Sequence, residues 1–400
     1  MFSAVTEDGQ MFHLLGAQQN QKLKRRRFFC PVCGGELAVK LGLQKAPHFA
    51  HKQNKSCSID IEPESAYHLE GKRQLYVWLK TQRASPILEP YIRTINQRPD
   101  VMARIKEHML AVEYQCATIA PDVFQKRTEG FKQEGIIPQW IMGYSRLKRT
   151  ASSFYQLSAF HWQFINASPY RELICYCPER RSFLRLSHII PFYTNHSYSS
   201  VQTIPIHRAG AGDLFFTEPK PSIQYSGWTK AIHRFRHKPH RFNSKEINRL
   251  RSLFYEKRQT PFSFLPTEVF VPVRKGAVFK SPVFVWQGFL YLFMTDLGGK
   301  RAPIRFSAVL RQCKLHIHNK NIALRFECGE ECLSEAVKQY IDFLCKKGFL
   351  RETQKEVYVL NQPEGGIHSM QDLIERDRKL FYRMSLSYLA HPKTKVVGRL

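Results

Sequence analysis

Five residues near the start of the chain have the types and spacing of metal ligands. Cys30 and Cys33 are separated by two residues, so one tight turn can direct both thiolates at a single ion. His48, His51 and Cys57 follow 15 to 24 residues after the second cysteine. That distance suits the second half of a tetrahedral zinc site, for which five candidates compete for four positions.

The sequence leaves two choices for the second pair of ligands, His48 with His51 or His51 with Cys57. We favour the set Cys30, Cys33, His51 and Cys57, because a third thiolate holds a closed structural site more firmly. His48 is then the alternate ligand. Four strong protein ligands leave no open position for water, so the expected zinc is structural and not catalytic.

A second group of residues has the chemistry of a site for a hard cation. Asp100 follows a proline in a turn, and Glu113 lies in the next predicted strand. Gln115 shares a side of that strand with Glu113, because side chains in a strand alternate with a period of two. Two carboxylates can jointly hold Mg²⁺, and the cation then polarises a phosphate and activates a water. This arrangement predicts metal-assisted phosphodiester hydrolysis.

A helix predicted from residue 63 to residue 79 carries polar residues on the same side. Glu64, His68 and Lys72 are spaced four apart, so they share one face of the helix. We expect Lys72 to contact DNA, together with Arg127 from a later predicted helix. Both residue types bind phosphate oxygens.

The elements predicted around these residues describe a compact α/β (α+β) domain. A β-hairpin at the turn Asp8-Gly9 and the Cys/His element precede it. The predicted order is a helix (63–79), a strand-like run (87–95), two strands (101–105 and 109–116), a helix (123–133) and a strand (138–142).

Proline-aspartate, then glutamate-any-glutamine on the next strand, resembles the PD-(D/E)XK nuclease superfamily, with Gln115 where lysine is usual. Together with other motifs, the chain resembles the competence protein CoiA family. The resemblance covers roughly residues 1–145, about a third of the chain. The matching positions are 30–33, 48–51, 64–68, 98–101, 113–115, Arg127 and 135–141.

The resemblance implies a restriction-endonuclease-like fold for residues 60–145 and a role in natural transformation. It implies a cytoplasmic bacterial protein that supports this process, in which incoming single-stranded DNA is passed to recombination machinery. The partners that we expect are DNA and either a RecA-type recombinase or another DNA-processing protein. The resemblance also implies that Asp100 and Glu113 bind magnesium, and that Glu64 can add a ligand through water. Gln115 cannot offer the transition state the positive charge of a lysine. The alternative is therefore a weak or inactive nuclease fold that serves as a DNA-binding adaptor for a recombinase.

The charge of the chain favours a polyanionic partner. Lys and Arg total 61 against 33 Asp and Glu, which gives a net charge of +28. Arg234, Arg236 and Arg241 form a dense basic cluster with Phe235 and Phe242 between them. Cations next to aromatic rings suit single-stranded DNA, because the charge follows the backbone while the rings stack on bases.

The domain organisation that we expect has three parts. Residues 1–60 form the hairpin and zinc element, 61–150 the nuclease-like domain, and 151–400 a basic region of mixed α/β structure. Within the last part we expect β-rich structure over 268–310 and a winged-helix-like element near 330–362. No signal peptide and no transmembrane segment is predicted, which indicates a cytoplasmic protein.

Overall fold

The structure is a computed structural model in two compact units. It describes residues 1–15, 21–41, 46–52, 57, 64–220, 225–299, 302–326, 329–361 and 369–382. Unit 1 consists of Met1–Lys148, Leu157–Ser187 and Val201–Pro219. Unit 2 consists of Arg149–Gln156, His188–Ser200 and Lys220–Leu400.

An antiparallel sheet opens unit 1. Its strands are β1 (Ser3–Thr6), β2 (Met11–His13), β3 (Phe28–Phe29), β4 (Glu36–Lys40) and β5 (His48–His51), in the order β2-β1-β3-β4-β5. The predicted hairpin is confirmed as β1 and β2, with Gly9 at φ +80° in the turn. Phe28 and Phe49 are buried, with ring centroids 4.9 Å apart, and they fix the sheet's core.

The next part of the chain holds the predicted α/β elements, which end near residue 143, followed by elements that the sequence did not predict. In chain order these are α1 (Ala66–Thr81), β6 (Ile87–Leu88), β7 (Val101–Ile105), β8 (His108–Gln115), α2 (Pro121–Gln133), β9 (Ile137–Gly143), β10 (Lys148–Ala151), β11 (Phe154–Gln156), α3 (Ala159–Ala167), β12 (Leu173–Cys177), β13 (Ser182–Tyr193), β14 (His196–Pro205) and α4 (Ala211–Phe216). The predicted helices and strands are confirmed, except that the strand-like run 87–95 is reduced to two residues. The positive φ of Glu89 turns the backbone away directly after that short strand.

The pairing of the central strands determines which residues meet. β7 runs antiparallel to β8, while β8, β9 and β12 are parallel neighbours in that order. The carboxyl ends of these three strands therefore lie at one edge of the sheet. Asp100 lies at the same edge, because it directly precedes the antiparallel strand β7. In open α/β sheets this edge is where ligands bind.

Close packing joins α1 and α2 to this sheet. Gly71 of α1 lies so near the Tyr114 ring that a Cβ built there would be 2.1 Å from a ring carbon. Phe124 of α2 stacks on Trp140 of β9, with ring centroids 4.2 Å apart. Trp140 is 5% exposed, so it serves as a core residue.

Unit 2 is mostly helical beyond residue 220. Its elements there are α5 (Ser226–His237), α6 (Lys245–Arg258), α7 (Val283–Gly299), β15 (Ile304–Arg305), α8 (Phe306–His318), α9 (Glu330–Lys346), β16 (Leu350–Gln354), β17 (Val357–Leu360) and α10 (Met370–Tyr382). Helix α9 followed by the β16–β17 hairpin has the order that we expected. Its identity as a winged-helix element stays a prediction.

The expectation of β-rich structure over residues 268–310 is wrong. Thr267–Phe270 is a 3₁₀ turn, and Val283–Gly299 is a helix whose first eight residues are all buried. A short apolar run has the same pattern in a buried strand and in a helix that is apolar on every side. Among the described residues, no helix combines the length and the apolar character needed to span a bilayer.

We predict that Gly71→Ala destabilises the fold by about 1–3 kcal/mol, because the added methyl group overpacks against Tyr114. Without that contact, alanine in a helix interior would add about 1 kcal/mol of stability. Gly212→Ala in α4 is the matched control, since a Cβ at Gly212 meets no atom within 4 Å. Urea unfolding of both variants measures the effect, and equal stabilities would contradict the packing argument.

Candidate functional site

An acid cluster lies at the edge where the central strands end. One ligand atom each from Glu64, His68 and Asp100 lies within 4.8 Å of the other two. Ser65 caps α1 by accepting a hydrogen bond from the backbone N–H of His68 at 3.1 Å. The cap fixes where α1 begins, so Glu64 precedes the helix and His68 lies in its first turn, facing Asp100.

Lys72 lies one turn further along α1, in the centre of this cluster. Its Nζ is 2.6 Å from Glu89 Oε1 and 3.1 Å from Asp100 Oδ1, and it also contacts Glu64. The side chain is 1% exposed. Burial lowers the pKa of Lys72, but Asp100, Glu64 and Glu89 outweigh it and raise the pKa well above its usual value. The buried ammonium group is therefore charged.

The same charges keep the acids ionised. Burial raises the pKa of both Glu64 and Asp100, but Lys72 and His68 outweigh it and hold each pKa below its usual value. The N-terminal ammonium of Met1 also contacts Glu64, at 2.5 Å.

Glu89 was not among the sequence-predicted site residues. Its carboxylate accepts hydrogen bonds from the backbone N–H groups of Phe2 and Ser3 at 2.7 and 2.9 Å. The acid cluster thus also anchors the first strand of the chain. The one sequence signal for Glu89 is an acidic residue directly after the apolar pair Ile87–Leu88.

Asp100 and Glu113 are neighbours across the antiparallel ladder. Val101 pairs with Val112, so the next position outward brings Asp100 opposite Glu113. Their carboxylates have different partners. Asp100 accepts a hydrogen bond from the backbone N–H of Tyr114 at 2.9 Å and faces α1, whereas Glu113 contacts the guanidinium of Arg127 from α2.

The charge of Asp100 nevertheless acts on Glu113. Burial, which outweighs the lowering effect of the Arg127 guanidinium, and the nearby charge of Asp100 together raise the pKa of Glu113 to about 7. Glu113 is therefore a carboxyl group whose protonation changes near neutral pH. Such a pKa is typical of a group that exchanges protons during catalysis.

The remaining predicted residues of this region have the following positions. Gln115 is half-buried and donates from Nε2 to the carbonyl oxygen of Ala117 at 2.9 Å. Lys72 is buried in the acid cluster, which is not the position of a residue that contacts a DNA backbone. Arg127 is 22% exposed, and it holds Glu113 and the carbonyl oxygen of Arg98.

The predicted Cys/His ligands converge in unit 1. The four favoured residues each place a ligand atom within 4.8 Å of the other three: Cys30, Cys33, His51 and Cys57. Cys33 Sγ is 3.4 Å from His51 Nε2, and Cys30 Sγ is 4.0 Å from Cys57 Sγ. Zinc–sulfur bonds of about 2.3 Å in a tetrahedron require ligands about 3.7 Å apart. The donor set and spacing therefore fit a structural zinc ion.

His48 has a different position from this ligand group. Its Nδ1 lies 2.9 Å from the carbonyl oxygen of Ala46, and no ligand atom of His48 belongs to the cluster of four. Burial raises the pKa of Cys30 to about 12, so its thiol stays protonated unless a cation binds. A metal ion reverses that preference.

The basic residues predicted in unit 2 divide by exposure. Arg234 and Arg241 are exposed at α5 and the turn after it. Arg236 is fully buried and makes a bidentate ion pair with Asp377 at 2.6 and 2.7 Å. It shares the buried face of α5 with Ile232 and Phe235. The sequence alone grouped the basic residues of this segment without assigning them to the faces of a helix.

We predict that Lys72→Met destabilises the protein by about 3–5 kcal/mol at pH 7, because it leaves buried carboxylates without their cation. In the wild type, Glu64 and Asp100 stabilise the fold above their unfolded pKa values of about 4. That contribution is lost as the pH falls below those values. In Lys72→Met the pKa values of these carboxylates are higher, so they take up protons as the pH falls. The loss of stability relative to wild type is therefore smaller at pH 5 than at pH 7.

Thermal unfolding between pH 3 and pH 8 in magnesium-free buffer checks this sign. Lys80→Met is the matched control, because Lys80 is an exposed lysine of the same helix. It should change stability by less than about 0.5 kcal/mol at every pH. A Lys72→Met deficit that does not depend on pH would argue against the charge network.

Comparisons with known proteins agree with this arrangement. Three family models match the chain, described as Competence protein CoiA, N-terminal domain (residues 14–60), nuclease-like domain (64–219) and C-terminal domain (223–374). The first contains the Cys/His ligands and the second contains the acid cluster. No solved structure matches the chain.

A curated protein, the Competence protein CoiA of Bacillus subtilis (strain 168), is 97% identical over 371 residues. The match covers 93% of this chain and 100% of that protein. Identity at this level over nearly all of both chains confirms the resemblance drawn from the motifs. The chain belongs to the competence protein CoiA family.

Proposed function

We propose that this chain is a cytoplasmic DNA-processing protein of competence, whose metal-dependent nuclease-like core acts on incoming single-stranded DNA during recombination. The observation that carries the proposal is the acid cluster of Glu64, His68 and Asp100 at the carboxyl ends of parallel strands. The acid cluster also lies within a region that matches a nuclease-like domain, which supports the same function.

The donor chemistry of the cluster fits a hard cation. Carboxylate oxygens from Glu64 and Asp100 are the ligands that Mg²⁺ prefers, and Glu113, opposite Asp100 across the ladder, would add a further carboxylate only by leaving Arg127. A bound magnesium ion supplies Lewis-acid polarisation of the phosphate. Glu113, with its pKa near 7, is suited to hold or release a proton of the attacking water.

Lys72 supplies the positive charge that Gln115 lacks. Its ammonium group is 3.1 Å from Asp100 and is fixed by three carboxylates. Lys72 does not contact the phosphate, but a preorganised charge next to the metal ligands acts through its field on the negative charge that develops there. The site thus has its cation on α1 and not on the strand that carries Glu113.

A second candidate function is a DNA-binding adaptor for a RecA-type recombinase that keeps the fold without the activity. One observation favours it. Lys72 and the N-terminal ammonium already balance much of the acid cluster's charge, which weakens its attraction for a metal ion.

The double variant Asp100→Ala/Glu113→Ala separates these two functions. If hydrolysis is essential, magnesium-dependent cleavage of single-stranded DNA should fall about 100-fold or more, and transformation should fall with it. Binding of single-stranded DNA without magnesium should remain. Gel assays of cleavage and transformation frequencies of cells that carry the variant measure the two effects.

The matched control is Glu107→Ala/Glu129→Ala, which removes two exposed acids from the same domain. Thermal unfolding of both double variants verifies that each is folded, since Asp100 also pairs with Lys72. Normal transformation by a folded Asp100→Ala/Glu113→Ala protein would rule out the enzymatic role and leave the adaptor.

We further propose that the Cys/His group binds a structural zinc ion that holds strands β3 to β5 together. The ligands include the carboxyl-terminal residue of β5, His51, and the residue directly after β3, Cys30. A zinc ion there would tie the ends of these short strands and contribute to folding.

Metal analysis of the purified protein should find about one zinc per chain. His51→Ala should lose that zinc and lower the unfolding temperature, because three ligands hold the ion more weakly. His48→Ala should keep it, since His48 lies outside the ligand group. Zinc retained by His51→Ala and lost by His48→Ala would reverse the ligand assignment.

The exposed basic residues of unit 2 support an additional DNA contact. Arg234 and Arg241 lie at and after the end of α5, where exposed guanidinium groups can reach phosphates. We assign the DNA contact of this segment to these two residues. The winged-helix-like element near 330–362 stays a candidate for binding DNA or a recombinase.

A further inference from the structure

A second polar group lies at the strand ends that carry the acid cluster. Strands β8, β9 and β12 are parallel neighbours, so the segments that follow them leave the sheet at the same edge. These segments carry Thr118, the turn Tyr144–Arg146, and Arg180. Tyr67, in the first turn of α1, donates to the carbonyl oxygen of Tyr176 at 3.4 Å, which places that turn at the same edge.

Arg146 is exposed, and its turn directly follows β9 at the edge where β8 also ends. Its guanidinium donates to Thr118 Oγ1 at 2.6 Å. The thiol of Cys116, at the end of β8, is affected by charges on both sides. Burial raises its pKa to about 12 and Asp100 contributes to the rise, whereas Arg146 and Lys72 lower it. A Cβ built at Gly143, directly before the Arg146 turn, would lie 2.8 Å from Cys116 Sγ and 3.4 Å from Tyr67 Cε1, so the turn starts beside the end of β8 and the first turn of α1.

A buried histidine holds the turn that carries Arg146. His161 Nδ1 accepts from the backbone N–H of Ser158 at 3.2 Å, so the ring proton of the neutral imidazole is on Nε2. Nε2 then donates to the carbonyl oxygen of Arg146 at 3.2 Å. Burial lowers the pKa of His161, which favours this neutral form. Arg146 is thus presented on a rigid turn.

Arg180 and Tyr144 complete the group. The Arg180 guanidinium lies over the Tyr144 ring, 5.3 Å from its centroid. Arg180 is exposed and Tyr144 is half-buried. Among the ion pairs of the described residues, none includes Arg146 or Arg180. Two guanidinium groups outside the ion pairs of the described residues, together with an aromatic ring at one edge, have the composition of a single-strand binding surface.

We propose that Arg146, Arg180 and Tyr144 form a rim that binds single-stranded nucleic acid and directs its backbone into the acid cluster. The guanidinium groups bind phosphates, and the Tyr144–Arg180 pair receives an unpaired base. This inference rests on the proposed DNA-processing function. A single strand fits better than a duplex, because Glu64, His68 and Asp100 are only 16–19% exposed and a duplex hides its bases from Tyr144.

The test is binding of a fluorescent oligo-dT by the full chain in magnesium-free buffer, measured by anisotropy across salt concentrations. Arg146→Ala/Arg180→Ala should weaken binding about ten-fold at low salt. The slope of log K against log salt should become shallower by about 1.4, since each phosphate contact on a single strand contributes about 0.7. Tyr144→Leu should weaken binding about five-fold or more, whereas Tyr144→Phe should stay close to wild type.

Arg104→Ala/Lys132→Ala is the matched control. Both residues are exposed, and they lie near the opposite ends of the strands, at the end of β7 and the last turn of α2. The control should reduce affinity and salt slope less than the rim variant. Equal losses in the two double variants would overturn the rim. As long as the wild-type protein itself binds the oligonucleotide, that result would leave the proposed function intact.

Two further outcomes would overturn more specific or more general parts of the proposal. If the rim variant weakens duplex binding as much as single-strand binding, the assignment to a single strand is overturned. If the wild type binds no oligonucleotide even at low salt, the rim and the proposed DNA-processing function both fail. Thermal unfolding of each variant shows whether a loss of binding is due to a loss of folding.

Discussion

Lys72 lies with its ammonium group among the carboxylates of Glu64, Glu89 and Asp100, and nearly all of its surface is removed from water. A buried cation is stable only when its partners surround it closely. This requirement fixes the start of α1, the segment after β6 and the start of β7 relative to one another. Through Glu89 it also fixes the first strand of the chain. The chemistry of the candidate site and the stability of this region therefore depend on the same charges.

The edge of the sheet places this charge network and exposed basic residues at the same strand ends. Parallel strands end together, so the acid cluster, the exposed Arg146 turn and the Tyr144–Arg180 pair lie at one boundary of unit 1. Buried charges there can act on a phosphate, while exposed charges can attract and orient the strand that carries it. The task that we propose for the Cys/His group is different, because four ligands around one ion would close a structural site at short strands whose hydrophobic core is small.

The parts of the fold that follow from local pattern were predicted well. Two apolar, β-compatible runs specified β7 and β8, and the two-residue cysteine spacing specified the turn that brings Cys30 and Cys33 together. Prediction failed where a residue's environment comes from distant segments. The run that begins at Val283 is apolar on every side, so its sequence does not distinguish a buried helix from strands. Arg236 lies in the same basic segment as the exposed Arg234, but it is buried in the core, where it pairs with Asp377.

The sequence by itself determined the family, the ligand types and the order of the elements in the nuclease-like region, because these depend on residue identity and short spacing. Only the tertiary structure decided which acids meet. It grouped Asp100 with Glu64 and His68, set Glu113 against Arg127, and turned Lys72 from an expected DNA contact into the centre of a buried ion network. The physical reason is that a charge inside a protein is stabilised by whichever partners the fold brings within a few ångströms, and sequence distance does not reveal those partners.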